Sequence, residues 1–360
     1  MPLTTLDNTM HDNTLDKNAN LVAELKLAGQ FLAFSREQPE LFSHPIEFVL
    51  DNQTKVTISA PGIICFEPPV YQGKDIVLSS GVHGNETAPI EICEQFVQQI
   101  LCEELVLANR VLFLFGNLPA MNVGKRFLVE NMNRLFSGAH SDQSQATNPE
   151  RERAKQLEEA VSHFYLSASQ SKQRIHYDLH TAIKPSKNDK FAVYPFRHGK
   201  AWNKQQLQFL LACGINTILL SGSATTTFSY FSSNNFGADA FTVELGKVKP
   251  FGQNNMADFS AVIASLKALI CGESLNLKPF DNGDFLIYQV NQVINKLSDE
   301  FRFTFSDELA NFSDFPQDYL LATDGAIEYR CQYAGEAIVF PNAQVALGQR
   351  AVLTVVPTSL

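Results

Sequence analysis

Apolar, β-branched runs recur along the chain, each closed by glycine or by polar residues. Five of them, Ile76 to Ser79, Val111 to Phe115, Ile175 to Leu179, Thr217 to Leu220 and Phe241 to Glu244, predict buried strands. Between them the spacing turns helical. One such stretch runs from about Pro89 to Leu105. A second starts after Asn148-Pro149, where asparagine can cap a helix and proline can fill its first turn, and a third covers about Ala257 to Ile270. Strands alternating with helices predict an α/β sheet with helices on its faces, and such sheets bind ligands beyond the carboxyl ends of their strands.

After Cys271-Gly272 the pattern changes. Phe285 to Val290, Phe301 to Phe305, Ala326 to Tyr333, Ala337 to Phe340 and Ala351 to Val356 read as short strands, separated by turn signals such as Asp281-Asn282-Gly283 and Asp324-Gly325. The expected division is an α/β domain over 1–272 and a smaller β-rich domain over 273–360. Gly138 to Asn148, rich in Ser, Gln and Asn, reads as a surface loop.

Composition narrows the partners. The 360 residues carry 28 basic and 38 acidic side chains, a net charge of −10, with no lysine or arginine run, so a nucleic-acid backbone is excluded as an expected partner. No apolar run approaches the roughly 20 residues of a membrane helix. The first thirty residues hold Asp7, Asp12, Asp16 and Glu24 and lack the basic start and apolar stretch of a secretory leader. Six scattered cysteines (Cys65, Cys93, Cys102, Cys213, Cys271, Cys331) form no close metal-binding pair and read as reduced, mostly buried thiols. The expectation is a cytoplasmic protein; nothing in the pattern fixes an oligomeric state.

The candidate chemistry begins at Gly81-Val82-His83-Gly84-Asn85-Glu86-Thr87, between the Ile76 strand and the following helix. A histidine and a glutamate three residues apart, in a turn at a strand's carboxyl end, can face one site, and Gly81 and Gly84 permit tight turns around a compact ligand. The alternative is a loop histidine that only hydrogen-bonds backbone. Asp178-Leu179-His180-Thr181 offers a third ligand. Two histidines and one carboxylate leave zinc a fourth position for water, the arrangement of a hydrolytic site. Asp178 shares a strand face with His180 and can orient it, or it can serve as a cap or a buried partner elsewhere. His176 shares that face too, but strand rise puts it roughly 13 Å from His180, too far to share a metal.

Glu244 lies inside an apolar strand, where an unpaired charge is expensive. It reads as a general base beside the metal or as an ion-pair partner of Lys247 or Lys249. Lys125, Arg126, Asn131, Asn133 and Arg134 cluster within about a dozen residues of an otherwise acidic chain. Arg126 and Arg134 suit an anionic substrate or a developing oxyanion, unless the loop is simply solvated. Trp202 and the 28 phenylalanines read as core, since no basic groove accompanies them.

GVHGNE at 81–86, Arg126 with NMNRLF at 131–136, DLHTA at 178–182 and VELG at 243–246 occur in the order and at spacings that resemble the succinylglutamate desuccinylase and aspartoacylase family, related to the zinc carboxypeptidases. The resemblance implies a zinc-carboxypeptidase-like mixed sheet flanked by helices, followed by a β-rich C-terminal domain. It implies one zinc per chain on His83, Glu86 and His180, with Glu244 as general acid/base. It also implies Arg126 at the substrate carbonyl oxygen, and Asn133 and Arg134 on a substrate carboxylate. VELGKVKPFGQN looks most like the bacterial desuccinylases of the arginine succinyltransferase pathway. In aspartoacylases a further arginine precedes the catalytic glutamate, whereas Ser221 to Thr242 here contains no arginine or lysine. Arg197 and Lys184 are candidates for the remaining substrate carboxylates from their nearness to His180 in sequence. The expected activity is zinc-dependent hydrolysis of N-succinyl-L-glutamate, a small anionic N-acyl amino acid, to succinate and L-glutamate. Another N-acyl amino acid deacylase, a carboxypeptidase-like peptidase or a non-catalytic binder are the alternatives.

Overall fold

The computed structural model describes residues 8–168 and 171–360, with side chains from residue 18 onward. The chain start that carries Asp7 lies outside the described residues. Eight α-helices are described: α1 (Asn8–Ala28), α2 (Phe31–Glu37), α3 (Thr87–Leu101), α4 (Leu118–Asn122), α5 (Pro149–Ser167), α6 (Lys204–Ala212), α7 (Phe228–Phe236) and α8 (Ser260–Cys271). The strands begin with β1 (Ile46–Val49), β2 (Lys55–Ala60) and β3 (Ile63–Glu67). Six more form the centre: β4 (Lys74–Ser80), β5 (Arg110–Phe115), β6 (Gln173–Ala182), β7 (Phe191–Tyr194), β8 (Thr217–Leu220) and β9 (Asp239–Lys247). The C-terminal part holds β10 (Leu286–Asn295), β11 (Arg302–Phe303), β12 (Ser313–Phe315), β13 (Leu320–Asp324), β14 (Ile327–Arg330), β15 (Glu336–Val339) and β16 (Arg350–Pro357). No described helix is long and apolar enough to cross a membrane.

Thirteen strands hydrogen-bond into one mixed sheet in the order β1-β2-β3-β5-β4-β6-β9-β7-β8-β10-β16-β15-β12, and β11-β13-β14 form a small second sheet. The core strands β5, β4, β6 and β9 are parallel, β7 runs antiparallel to β9, and β10 adds parallel to β8. The C-terminal strands therefore continue the catalytic sheet through β10. This is the mixed α/β sheet with a β-rich C-terminal part that the sequence leads one to expect. All five apolar runs are strands, and each extends into flanking polar residues because ladder hydrogen bonds do not depend on side-chain polarity. The first three strands, β7 and the helices α1, α2, α6 and α7 carry weaker signals and escape the apolar-run reading.

Each side of the sheet has its own core. Ile76 and Leu78 of β4, Ile175, Tyr177 and Leu179 of β6 and Phe241, Val243 and Leu245 of β9 pack with α1, α2, α3, α6 and α8. Val77 and Ala240 face the other way, toward α5 and α7. Side chains alternate along a strand. His176, Asp178 and His180 therefore belong to the α7 side, a polar stripe on an otherwise apolar strand.

Helix α5 anchors the basic loop that precedes it. Asn148 caps its first turn by accepting from the Arg151 N–H at 3.0 Å, with Pro149 next, as the Asn-Pro pair predicts. Glu150 accepts from the backbone N–H of Leu128 at 2.7 Å, and Arg151 grips Glu130 through two hydrogen bonds of 2.7 Å each. The segment 131–136 is fixed from the far side, where Phe136 stacks on Phe228 with ring centroids 4.1 Å apart. Asn148→Ala removes the cap and also a 2.9 Å bond to Glu130, so a loss of about 1 kcal/mol is expected in denaturant unfolding. An unchanged midpoint and slope would show that the cap contributes nothing.

Candidate active site

The site lies at the carboxyl ends of β4, β6 and β9, where the parallel strands deliver their last side chains into one space. Gly81, with φ +65°, turns the chain out of β4. Gly84 passes so close to the α4 backbone that a Cβ would sit 2.4 Å from the Ala120 carbonyl carbon and the Met121 nitrogen, so no larger residue fits. This tight turn places His83 and Glu86 against the end of β6. Glu86 stands at the N-cap of α3, yet its side chain makes no capping bond and turns to the histidines instead.

His83, Glu86 and His180 are buried, and one ligand-type atom from each lies within 4.8 Å of the others. The Glu86 carboxylate is the hub. Its Oε2 is 2.8 Å from His180 Nδ1 and 3.2 Å from the Thr181 N–H, while its Oε1 is 2.5 Å from Arg126 Nη1 and 2.9 Å from His83 Nδ1. That last approach lacks hydrogen-bond geometry, which leaves His83 Nδ1 a buried nitrogen without a partner. The far nitrogens are both held by oxygen acceptors: His83 Nε2 by Asn131 Oδ1 at 2.9 Å and His180 Nε2 by Asp178 Oδ2 at 2.9 Å. With the protons placed on Nε2 by these acceptors, both rings offer an Nδ1 lone pair to the same point as the Glu86 carboxylate. Such a donor set suits a divalent metal with open coordination positions.

The protonation tendencies follow from this crowding. Burial and the nearby Arg126 push His83 down to about 4. Burial disfavours the charged forms of Glu86 and His180 as well, but their opposite charges win. His83, His180 and Arg126 hold Glu86 well below the ordinary carboxylate range, and Asp178 with Glu86 raises His180 well above a normal imidazole.

Glu244 sits directly across from His180 in the β6/β9 register. It makes no ion pair with Lys247 or Lys249. Its Oε2 is buried and unpartnered, and burial together with the Glu86 charge lifts the carboxyl to about 7. Asp178 takes the orienting position open to it. Beneath it His176 does not approach the metal-type donors; Ser79 Oγ donates to Asp178 at 2.6 Å and lies 2.8 Å from His176 Nε2, whose Nδ1 meets Ser232.

The basic cluster divides. Arg126 reaches Glu86. Asn133 Oδ1 accepts from the Phe228 N–H at 3.3 Å, and Arg134 is half-buried with one bond to the Asn133 carbonyl at 2.8 Å. Arg197 is not in the site: it binds the Tyr194 hydroxyl and lies 3.6 Å from Asp239, at the opposite end of β9 from Glu244. Lys184 turns to the Asp307 carbonyl of the C-terminal part. Sequence reasoning missed Asn131 as a partner of His83; its place between Glu130 and the following amides gave no separate signal.

A model of the succinylglutamate desuccinylase/aspartoacylase catalytic domain matches residues 72–270, and one of the AstE/AspA barrel-sandwich hybrid domain matches 283–358. The succinylglutamate desuccinylase of Pseudoalteromonas atlantica is 59% identical over 94% of this chain and 97% of its own. A crystal structure of the succinylglutamate desuccinylase from Chromobacterium violaceum superposes with a TM-score of 0.80 at 36% identity, covering 92% of this chain and 98% of that one. The Vibrio cholerae structure of the same name gives 0.82 at 30% identity, over 91% and 94%. The protein belongs to the succinylglutamate desuccinylase/aspartoacylase family, a family of enzymes.

Because Asn131 fixes the tautomer of His83, Asn131→Ala is expected to weaken divalent-metal affinity about 10- to 100-fold. Competitive metal titration checks this, and wild-type affinity would show that the Nε2 contact does not orient the ring.

Proposed function

We propose that this protein hydrolyses N-succinyl-L-glutamate to succinate and L-glutamate, with one zinc per chain on His83, Glu86 and His180. The observation that carries the reading is the convergence of two buried imidazoles and a carboxylate beside an unpartnered buried glutamate, Glu244. Identity of 59% to a succinylglutamate desuccinylase supports the substrate. When bound, zinc supplies Lewis acidity and makes water nucleophilic near neutral pH. Since His180 favours its protonated form, loading the site displaces a proton from it.

The chain's own groups then divide the work. Glu244 accepts a proton from the attacking water and returns one to the nitrogen of the cleaved amide, a task suited to a carboxyl lifted to about 7. Arg126, which reaches the cluster through Glu86, stabilises negative charge developing on the carbonyl oxygen. Arg134 and the Asn133 amide hold a substrate carboxylate. Asp178, backed by Ser79, keeps His180 aimed. A catalytic part ending at 272, a C-terminal part from 273 and a cytoplasmic setting belong to the same reading. The two matched segments support the division, and six unpaired cysteines support a reducing compartment. A release assay across N-acyl amino acids tests the substrate; preference for an uncharged N-acyl group would overturn it.

Two substitutions separate metal holding from proton transfer. His180→Ala is expected to lose metal and turnover together. Glu244→Gln keeps its metal while turnover falls on the order of 10²–10⁴. Metal analysis beside the kinetics decides; loss of metal in Glu244→Gln would make that residue a ligand.

The arginines separate by kinetic constant. Arg134 holds charge present before and during reaction, so Arg134→Lys mainly raises KM, whereas Arg126→Lys mainly lowers kcat. An identical pattern in both variants would refute the assignment.

A further inference from the structure

A third arginine approaches the basic loop from the C-terminal part of the chain. Arg350, the first residue of β16, is half-buried, and its Nε is shielded from solvent with no hydrogen-bond partner. The guanidinium carbon lies 5.5 Å from the centre of the Phe340 ring. Phe340 leads back to the catalytic centre: its ring is 5.7 Å from that of Phe191, and Phe191 is the cross-strand partner of Glu244. Phe340 holds a left-handed φ of +56°, unfavourable for an aromatic residue, while the Asn311 side chain accepts from its N–H at 2.8 Å. The backbone is thus fixed in a costly shape that sets this ring between Arg350 and the wall of the site.

Charge makes the position stranger. Burial pushes Arg350 down to about 9 and Arg134's positive charge pushes it further; Arg134 falls to about 10 by burial and by Arg126. The three cations therefore form a row, Arg126 to Arg134 to Arg350, leading from the metal-type cluster to the β-rich part. Arg126 is neutralised by Glu86, but neither Arg134 nor Arg350 meets a carboxylate among the described residues. Adjacent like charges, shielded and without counterions, are unfavourable in the free protein and become favourable when an anion enters. The planar fork of arginine, backed by an aromatic ring, selects a carboxylate.

We propose that Arg350 is a substrate-binding residue which, with Arg134, holds a carboxylate of the N-acyl amino acid remote from the scissile amide, so that the C-terminal part sets specificity. The inference rests on the proposed desuccinylase reading for its substrate, but not for its anion site.

The test compares wild type, Arg350→Met and Arg350→Lys on N-succinyl-L-glutamate, N-butanoyl-L-glutamate and N-succinyl-L-2-aminobutyrate. The last two each lack one remote carboxylate. Arg350→Met keeps an apolar stem against Phe340 and is expected to raise KM for the full substrate about 10- to 100-fold, with kcat within about threefold. On the analogue missing the gripped carboxylate the penalty should vanish, and Arg350→Lys should recover part of the affinity. Wild-type KM in Arg350→Met, or an equal loss on all three substrates, overturns the inference. Calorimetric titration of the metal-loaded proteins with succinate and with L-glutamate reads the site without turnover. If wild type cleaves none of the three compounds, the desuccinylase reading fails. Calorimetry then decides Arg350 alone: dicarboxylate binding lost in Arg350→Met supports it, and binding that is unchanged or absent in wild type rejects it.

Discussion

The site depends on one buried carboxylate. Glu86 has almost no exposure, and an ionised carboxylate in such a place is stable only if its oxygens are met by charge or hydrogen bonds. Four groups from separate parts of the chain do this: His83 from its own turn, Arg126 from the basic loop, and His180 and the Thr181 N–H from the end of β6. Removing Glu86 would leave an imidazolium and a guanidinium facing each other. Its position at the start of α3 adds the favourable end of the helix dipole. The tight Gly81 and Gly84 turn, the bound loop and the polar end of β6 are all conditions for that one contact set.

A second layer makes the first rigid. The stripe His176, Asp178 and His180 interrupts an apolar strand, and each member is satisfied: Asp178 by His180 and Ser79, His176 by Ser79 and Ser232. A fully satisfied buried polar network costs little and fixes geometry, whereas a partly satisfied one would loosen the strand end. The single buried exception beside it is informative. Glu244 keeps an unpartnered oxygen in a protein that pairs most of its buried charges, and unpaired buried groups concentrate where chemistry is done.

The charge distribution follows the same logic on a larger scale. A chain of net charge −10 repels anions at long range, so an anionic substrate must be met by local cations. Arg126 and Arg134 come from a loop pinned to α5 and α7, and Arg350 comes from a strand about two hundred residues later. Continuity of the sheet through β8, β10 and β16 brings that strand within reach of the basic loop.

Much of the centre was legible along the chain because the α/β pattern puts functional residues directly after apolar strands. Ile76 to Ser79 leads to His83 and Glu86, Ile175 to Leu179 leads to His180, and Phe241 to Val243 leads to Glu244, so local hydrophobicity alone points at each. The general fold, the strand runs and the cap at Asn148 were read from local preferences of the same kind. Arg197 and Lys184 show where this stops: nearness in sequence to His180 placed them in the site, but one follows β7 back to the opening end of β9 and the other pairs with the C-terminal part. Tertiary structure alone set His83 against Asn131, left Glu244 without its lysines, and carried Arg350 toward Arg134. Those outcomes depend on strand order and on which loops pack together, and contacts between residues far apart in sequence leave no periodic mark in either partner.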